Sequence, residues 1–122
     1  MKKQTIVIID SDQDFIRDFS AQFELEGLCV EQALRVGDLL EKLINQQVVL
    51  IIANIELNTD CDVVGSVRKL DKDVPIITIT ANDSLEVQKK VRQEGIFFYF
   101  VKPFTIEDMS IVAHSAIDSR KQ

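Results

Sequence analysis

The sequence contains few of the residues that build several common kinds of site. It has one histidine, two cysteines, two prolines, four glycines and no tryptophan. Zinc sites need cysteine and histidine at characteristic spacings, and no such spacing is present. The chain also has no Ser-His-Asp set and no glycine-rich loop that would cradle a phosphate. These absences argue against a zinc protein, a serine-type hydrolase and a phosphate site of the glycine-loop kind.

The cysteine count and the lack of a long apolar run limit the expected compartment. Cys29 and Cys61 cannot build a disulfide framework, and we expect both to be free thiols. No apolar run reaches the roughly 18–20 residues that a membrane span requires. The first ten residues, MKKQTIVIID, lack a small-residue cleavage site and predict a first strand rather than a signal peptide. We therefore expect a cytoplasmic protein that does not contact a membrane.

Size and charge indicate one acidic globular domain. The 122 residues are 46% hydrophobic and 28% charged, with 14 Lys and Arg against 20 Asp and Glu, and the net charge is −6. An acidic chain lacks the basic face that nonspecific nucleic-acid binding needs. We expect residues 1–122 to form a single domain that does not itself bind nucleic acid.

Short apolar runs alternate with segments of helical periodicity. In the first helical segment, Phe15, Phe19 and Phe23 recur every four residues and so share one helix face. The predicted strands are 5–10, 28–33, 48–54, 74–81 and 97–102, and the predicted helices are 12–27, 36–47, 62–70, 84–95 and 105–121. This alternation favours a doubly wound α/β fold, (βα)₅, a flavodoxin-like three-layer sandwich whose parallel five-stranded sheet has the order 2-1-3-4-5. His114 is predicted to be an ordinary, solvated or hydrogen-bonded residue of the last helix.

Polar residues stand where several predicted strands end. They are Asp10 and Asp12 after the first strand, Asn54 at the end of the third, Thr80 and Ala81 at the end of the fourth, and Lys102 at the end of the fifth. Ligands of such sheets bind outside the carboxyl ends of the strands, where the strand order reverses. With this order the reversal lies between strands 1 and 3, so the sequence predicts a site centred on Asp10 and Asn54.

The chain resembles the receiver domain of bacterial response regulators over essentially its whole length. The segments that carry the resemblance are IVIID (6–10), IITITA (76–81) and YFVKPFT (99–105). In that family, an aspartate at the end of the third strand takes a phosphoryl group from a kinase phosphohistidine, beside Mg²⁺ held by acids. The resemblance implies a CheY-like fold and a signalling role, without enzymatic activity, in a two-component phosphorelay.

The resemblance also assigns roles to individual residues. Asp10 matches the first metal-site acid, Asn54 the phosphoacceptor, Thr80 the switch hydroxyl with Ala81 beside it, Tyr99 the switch aromatic and Lys102 the phosphate-binding lysine. The sequence departs from the family pattern around the acceptor: Ser11 replaces the second acid, which falls one place later at Asp12, and Asn58 and Asp62 replace a proline and a glycine.

The amide at position 54 is the departure with the largest chemical consequence. A carboxamide is a very poor nucleophile, whereas the carboxylate of an aspartate forms an acyl phosphate. We therefore predict a pseudo-receiver that is not phosphorylated at Asn54 and acts through protein–protein contacts. Two alternatives stay open: a conventional receiver whose aspartate at position 54 was replaced by mutation, and a flavodoxin-type module that binds a small ligand.

Three acids are candidate metal ligands in this site. They are Asp10, Asp12 and Glu56, and we expect them to bind Mg²⁺ weakly or not at all, with no cofactor required. Lys102 is expected to pair with Asp10 or Asp12 and to donate to the side-chain oxygen of Asn54, because an ammonium is rarely buried without a partner.

An apolar run before the fifth strand suggests a contact surface. By strand alternation, one of Phe97 and Phe98 should face outward or toward the sheet edge. It would contribute to an apolar patch for a partner, rimmed by Lys89, Lys90 and Arg92; alternatively, the rings all pack beneath the fourth and fifth helices. The expected partner is a histidine kinase, an output domain or another regulator. A second copy of the chain is also possible, through the fourth helix, fifth strand and last helix.

Overall fold

The computed structural model describes residues 4–55, 63–81, 86, 89, 92–93 and 95–119. Its strands are β1 Gln4–Ile9, β2 Cys29–Ala33, β3 Gln47–Asn54, β4 Ile76–Thr80 and β5 Phe98–Val101. Its helices with assigned bounds are α1 Gln13–Glu24, α2 Val36–Asn45, α3 Val63–Leu70 and α4 Ile106–Ser119. Most of the helix predicted over 84–95 lies outside the described residues, but Glu86, Lys89, Arg92 and Gln93 are helical.

All strand pairs in the sheet are parallel, and the order is β2-β1-β3-β4-β5. The predicted fold class and strand order are therefore confirmed. The central strand β3 is buried along nearly its whole length, as its apolar run predicts. No helix within the described residues is long and apolar enough to cross a membrane.

Two apolar clusters cover the two faces of the sheet. Along β1, successive apolar residues belong to opposite clusters, because their side chains point to opposite faces. Ile6 and Ile8 of β1 face one cluster, and Val7 and Ile9 face the other. The first cluster contains the phenylalanine face of α1 and the residues Met109, Ala113, Ala116 and Ile117 of α4. The second cluster contains Leu39 of α2 and the valines of α3. The result is the predicted three-layer arrangement.

Local signals fix where α1 begins and ends. The Oδ1 atom of Asp12 accepts the backbone N–H of Phe15 at 3.1 Å and thereby caps the first turn. After the last turn, Gly27 has a φ of +86°, a left-handed conformation that glycine adopts without strain. Between these ends, Phe19 and Phe23 are fully buried, which confirms the predicted apolar face.

His114 joins α4 to the end of α1. Its Nδ1 lies 2.8 Å from the carbonyl oxygen of Ser110, and its Nε2 lies 2.8 and 3.0 Å from the two carboxylate oxygens of Glu26. The ring also stacks on Phe23 at 4.6 Å between centroids. Carbonyl and carboxylate oxygens only accept, so the contacts of both ring nitrogens favour the protonated imidazolium form. The hydrogen bond with Glu26 raises the pKa of His114, against the opposing effect of burial.

This contact predicts a pH-dependent contribution to stability. Because the folded-state pKa of His114 lies above the unfolded value, the contribution is complete below the unfolded pKa and is lost as pH rises through the folded one. Glu26→Gln should therefore lower the free energy of unfolding at acidic pH, and the difference from wild type should close as pH rises. Urea titrations across this range measure it.

The effect of Glu26 on the pKa of His114 can also be measured directly at the ring. His114 is the only histidine, so its NMR titration needs no assignment. Its pKa should fall in Glu26→Gln and stay unchanged in the control Glu24→Gln, which alters an exposed acid at the end of α1, two residues before Glu26. An equal pKa in wild type and Glu26→Gln would contradict the imidazolium–carboxylate contact.

Candidate functional site

Four strands bring polar side chains to one edge of the sheet. Asp10 follows β1, Asn54 ends β3, Thr80 ends β4 and Lys102 follows β5. The registers align these ends, since Ile9 pairs with Ala53 and Asn54 pairs with Ile79. Asp10, Asn54 and Thr80 are 1%, 6% and 2% exposed, so the edge carries a buried polar group rather than a set of solvated strand ends.

A hydrogen bond between Asn54 and Asp10 lies at the centre of this edge. Nδ2 of Asn54 donates to Oδ1 of Asp10 at 3.3 Å, and the backbone N–H of Asp12 donates to the same oxygen at 3.2 Å. Nε2 of Gln32 on β2 donates to the backbone carbonyl of Asp10 at 2.8 Å. The other carboxylate oxygen, Oδ2, is buried and has no hydrogen-bond partner among the residues that the structure describes. Asp10 is thus an almost fully buried acid held by neutral donors on one oxygen only.

The second candidate acid, Asp12, is used differently. Its side chain is exposed and accepts the N–H of Phe15 as the cap of α1. The third candidate, Glu56, lies outside the described residues. As the N-cap residue of α1, Asp12 has one carboxylate oxygen engaged by a backbone N–H. This oxygen is therefore less available to a metal ion than the position of Asp12 in the sequence suggests.

The fit of Mg²⁺ to these residues is poor. Mg²⁺ demands near-octahedral oxygen coordination. Within the described residues no group of three or more His, Cys, Asp or Glu side chains is placed to hold a metal ion. Among the described residues, the one carboxylate oxygen that is buried without a hydrogen-bond partner is Oδ2 of Asp10, and a single such oxygen does not supply that coordination. The described side chains alone therefore do not form a magnesium site.

Lys102 does not adopt the predicted contacts. Within the described part of the chain, no ion pair or side-chain hydrogen bond joins its ammonium to Asp10, Asp12 or Asn54, and the residue is exposed. That prediction is wrong. Asp10 already receives two donors in a site that excludes water, and an ammonium entering it would have to lose its hydration shell.

Lys102 instead lies at the wall of a surface cavity. This cavity has a volume of about 370 Å³, and its lining includes Asp12, Asp14 and Asp18 besides Lys102. The backbone N–H of Lys102 donates to the carbonyl of Thr80 at 2.8 Å, which fixes the chain here while the side chain remains at the surface.

Thr80 and Tyr99 share one side of the sheet. The register pairs Thr78 with Tyr99 and Thr80 with Val101, so Thr78, Thr80 and Tyr99 point the same way. Thr80 is buried, and the neighbouring Ala81 is exposed. The ring of Tyr99 is half-buried, and its hydroxyl accepts a hydrogen bond from the guanidinium of Arg92 at 3.3 Å.

The surface beside Tyr99 exposes two aromatic rings. Phe97 and Phe98 are 39% and 45% exposed, so the alternative in which both pack fully beneath helices is wrong. Lys89 and Arg92 are exposed in the adjoining segment. We call Phe97 and Phe98 the aromatic patch.

Sequence reasoning missed two polar contributors. Gln32 is the next-to-last residue of the edge strand β2, and its sequence context gives no sign that its amide reaches the backbone of Asp10. Thr78 is fully buried, and its hydroxyl has no hydrogen-bond partner in the described part of the chain. A threonine in an apolar β-strand is common, so only the structure distinguishes it from a packing residue.

Comparison with solved structures shows that the fold is shared with known receiver domains. A CheY-like response regulator receiver domain protein from Methanospirillum hungatei is similar with a TM-score of 0.83 and 24% identity, covering 99% of this chain and 98% of that one. The beryllofluoride-activated NtrC4 receiver domain dimer is similar with a TM-score of 0.81 and 21% identity, covering 96% and 98%.

Comparison of sequences gives the family. The transcriptional regulatory protein PrrA of Mycobacterium leprae is 24% identical over 106 residues, which are 85% of this chain and 46% of that protein. The chain thus spans about half the length of this relative. The response regulator receiver domain family matches residues 6–114. The chain therefore belongs to the response regulator receiver domain family.

Proposed function

We propose that this receiver domain is not phosphorylated at Asn54 and works in a two-component pathway through protein–protein contact. The observation that carries the proposal is the neutral amide at the end of β3, 6% exposed and bonded to Asp10 at 3.3 Å. The lone pair of an amide nitrogen is delocalised into the carbonyl group, so it does not attack phosphorus, and the amide oxygen is a weak nucleophile. The position that would accept the phosphoryl group therefore acts as a hydrogen-bond donor.

The proposed consequence is a site that is organised without phosphate. Where two carboxylates would repel each other at this distance, the amide attracts Asp10 and satisfies one of its oxygens. Ser11 and the departures at Asn58 and Asp62 support the same proposal, although the last two lie outside the described residues. The domain then requires no cofactor, and any Mg²⁺ bound at Asp10 is held weakly.

We propose that the domain is a cytoplasmic signalling module without enzymatic activity. A histidine kinase, an output domain or another regulator would then be its partner. PrrA is a transcriptional regulatory protein, and the chain spans 46% of it, which is consistent with attachment to such an output domain. The aromatic patch with Lys89 and Arg92 is the surface proposed for the contact, because exposed rings rimmed by charge suit a protein interface.

Intact mass after incubation with acetyl phosphate and Mg²⁺ tests the phosphorylation proposal. The natural sequence should gain no phosphate, because its amide cannot form a stable acyl phosphate. Asn54→Asp, run in parallel, should gain phosphate if the rest of the pocket is competent. Phosphate on neither protein would mean that the whole site has lost the reaction. Phosphate on the natural protein would contradict the proposal and direct attention to Asp10 and Asp12 as acceptors.

Self-association through the aromatic patch has its own test. Phe98→Glu should weaken any concentration-dependent dimer measured by sedimentation, because it places a charge in the apolar contact. The control is Leu25→Glu, which changes a residue that is 90% exposed at the end of α1. A wild-type chain that stays monomeric at all concentrations, or an equal loss in both variants, would contradict dimerisation through this surface.

A further inference from the structure

Arg92 makes two contacts with one aromatic ring. The carbon atom of its guanidinium lies 5.1 Å from the centroid of Tyr99, and one guanidinium nitrogen donates to the Tyr99 hydroxyl at 3.3 Å. The first contact is a cation–π interaction with the face of the ring, and the second holds its tip. Together they fix both the plane and the direction of the side chain. Arg92 is exposed and Tyr99 is half-buried, so the pair lies at the surface.

A second arginine holds the backbone from which Arg92 extends. The guanidinium of Arg68 on α3 donates to the carbonyl of Val74 at 2.7 Å and to the carbonyl of Gly95 at 2.9 Å. The N–H of Gly95 in turn donates to the carbonyl of Arg92 at 3.2 Å. These bonds form a continuous path from α3 through Gly95 and Arg92 to Tyr99. Arg68, Gly95, Arg92 and Tyr99 are called the two-arginine network below.

We propose that Arg92 is a positioning residue that holds Tyr99 toward the surface, and that Arg68 fixes the segment on which Arg92 lies. The inference rests on the proposed function. If position 54 takes no phosphoryl group, the orientation of Tyr99 is set by contacts within the chain. The two-arginine network supplies such contacts, and all of them lie outside the buried polar group around Asp10.

The orientation of Tyr99 matters for the aromatic patch. Its ring centroid lies 6.3 Å from that of Phe98, with the planes 25° apart, so the two side chains are in contact beside the edge strand β5 although successive residues of a strand point to opposite faces. A partner that binds there meets Phe98, Tyr99 and the guanidinium of Arg92 together. Without the Arg92 contact, Tyr99 would occupy several rotamers, and a partner would no longer meet one fixed arrangement of these side chains.

The χ1 rotamer of Tyr99 can be measured directly by NMR. Tyr99 is the only tyrosine, so isotope labelling of tyrosine yields one set of signals. Three-bond couplings from the backbone nitrogen and carbonyl carbon to the ring carbon Cγ report the χ1 rotamer of that side chain. Wild type should show the coupling pattern of one rotamer. In Arg92→Ala this pattern should be lost and replaced by averaged couplings.

Two further variants separate positioning from a general effect of charge. Arg92→Lys keeps the positive charge but loses the planar group, so it should restore the single-rotamer pattern only in part. Lys89→Ala removes an exposed charge from the same segment and should leave the couplings unchanged. Amide spectra of all variants verify that the fold is retained.

The possible results are unambiguous. A single-rotamer pattern in Arg92→Ala would overturn the proposal, and so would equal averaging in Lys89→Ala. The couplings are measured without phosphate or partner, whereas the proposed function is tested by mass after acetyl phosphate treatment. A result that overturns the role of Arg92 is therefore distinguishable from a result that overturns the proposed function.

Discussion

The hydrogen bond from the Asn54 amide to the buried Asp10 carboxylate is the constraint on which the rest of the site depends. Asp10 is 1% exposed, and a buried carboxylate is stable only where donors replace the lost water. The backbone of Asp12 and the amide of Asn54 supply those donors to one oxygen. A second carboxylate at about this separation would instead repel Asp10, by an energy on the order of 4 kcal/mol at an effective dielectric constant of about 20.

The pairing of one acid with a neutral amide also accounts for where the nearby charges lie. Asp10 is the one acid of the buried group within the described residues and already accepts two donors, which offers little compensation for burying the ammonium of Lys102, and that side chain remains exposed beside the surface acids. Asp12 is likewise available to cap α1. The polar edge therefore separates into a buried part around Asp10 and an exposed part around Lys102. The contact between Tyr99 and Arg92 belongs to neither part.

The parts of the structure that follow from short-range patterns could be predicted from the sequence. The apolar runs gave the strands, the spacing of Phe15, Phe19 and Phe23 gave the buried face of α1, and the rule for parallel sheets placed Asp10 and Asn54 at one edge. Contacts between residues far apart in sequence could not be predicted. The bond from Gln32 to Asp10 and the bonds of Arg68 depend on packing that no local pattern encodes. The pairing predicted for Lys102 was wrong because the prediction counted the attraction between opposite charges but not the free energy needed to remove water from the ammonium.

The most direct measurement is the free energy of unfolding of Asn54→Asp against wild type, in a metal-free buffer, with Asn54→Ala as the control for loss of the amide alone. At about pH 7.5, Asn54→Asp should be less stable than wild type by more than about 1 kcal/mol, because two buried carboxylates face each other. An Asn54→Asp variant as stable as wild type at neutral pH would contradict the central role of the Asn54–Asp10 contact.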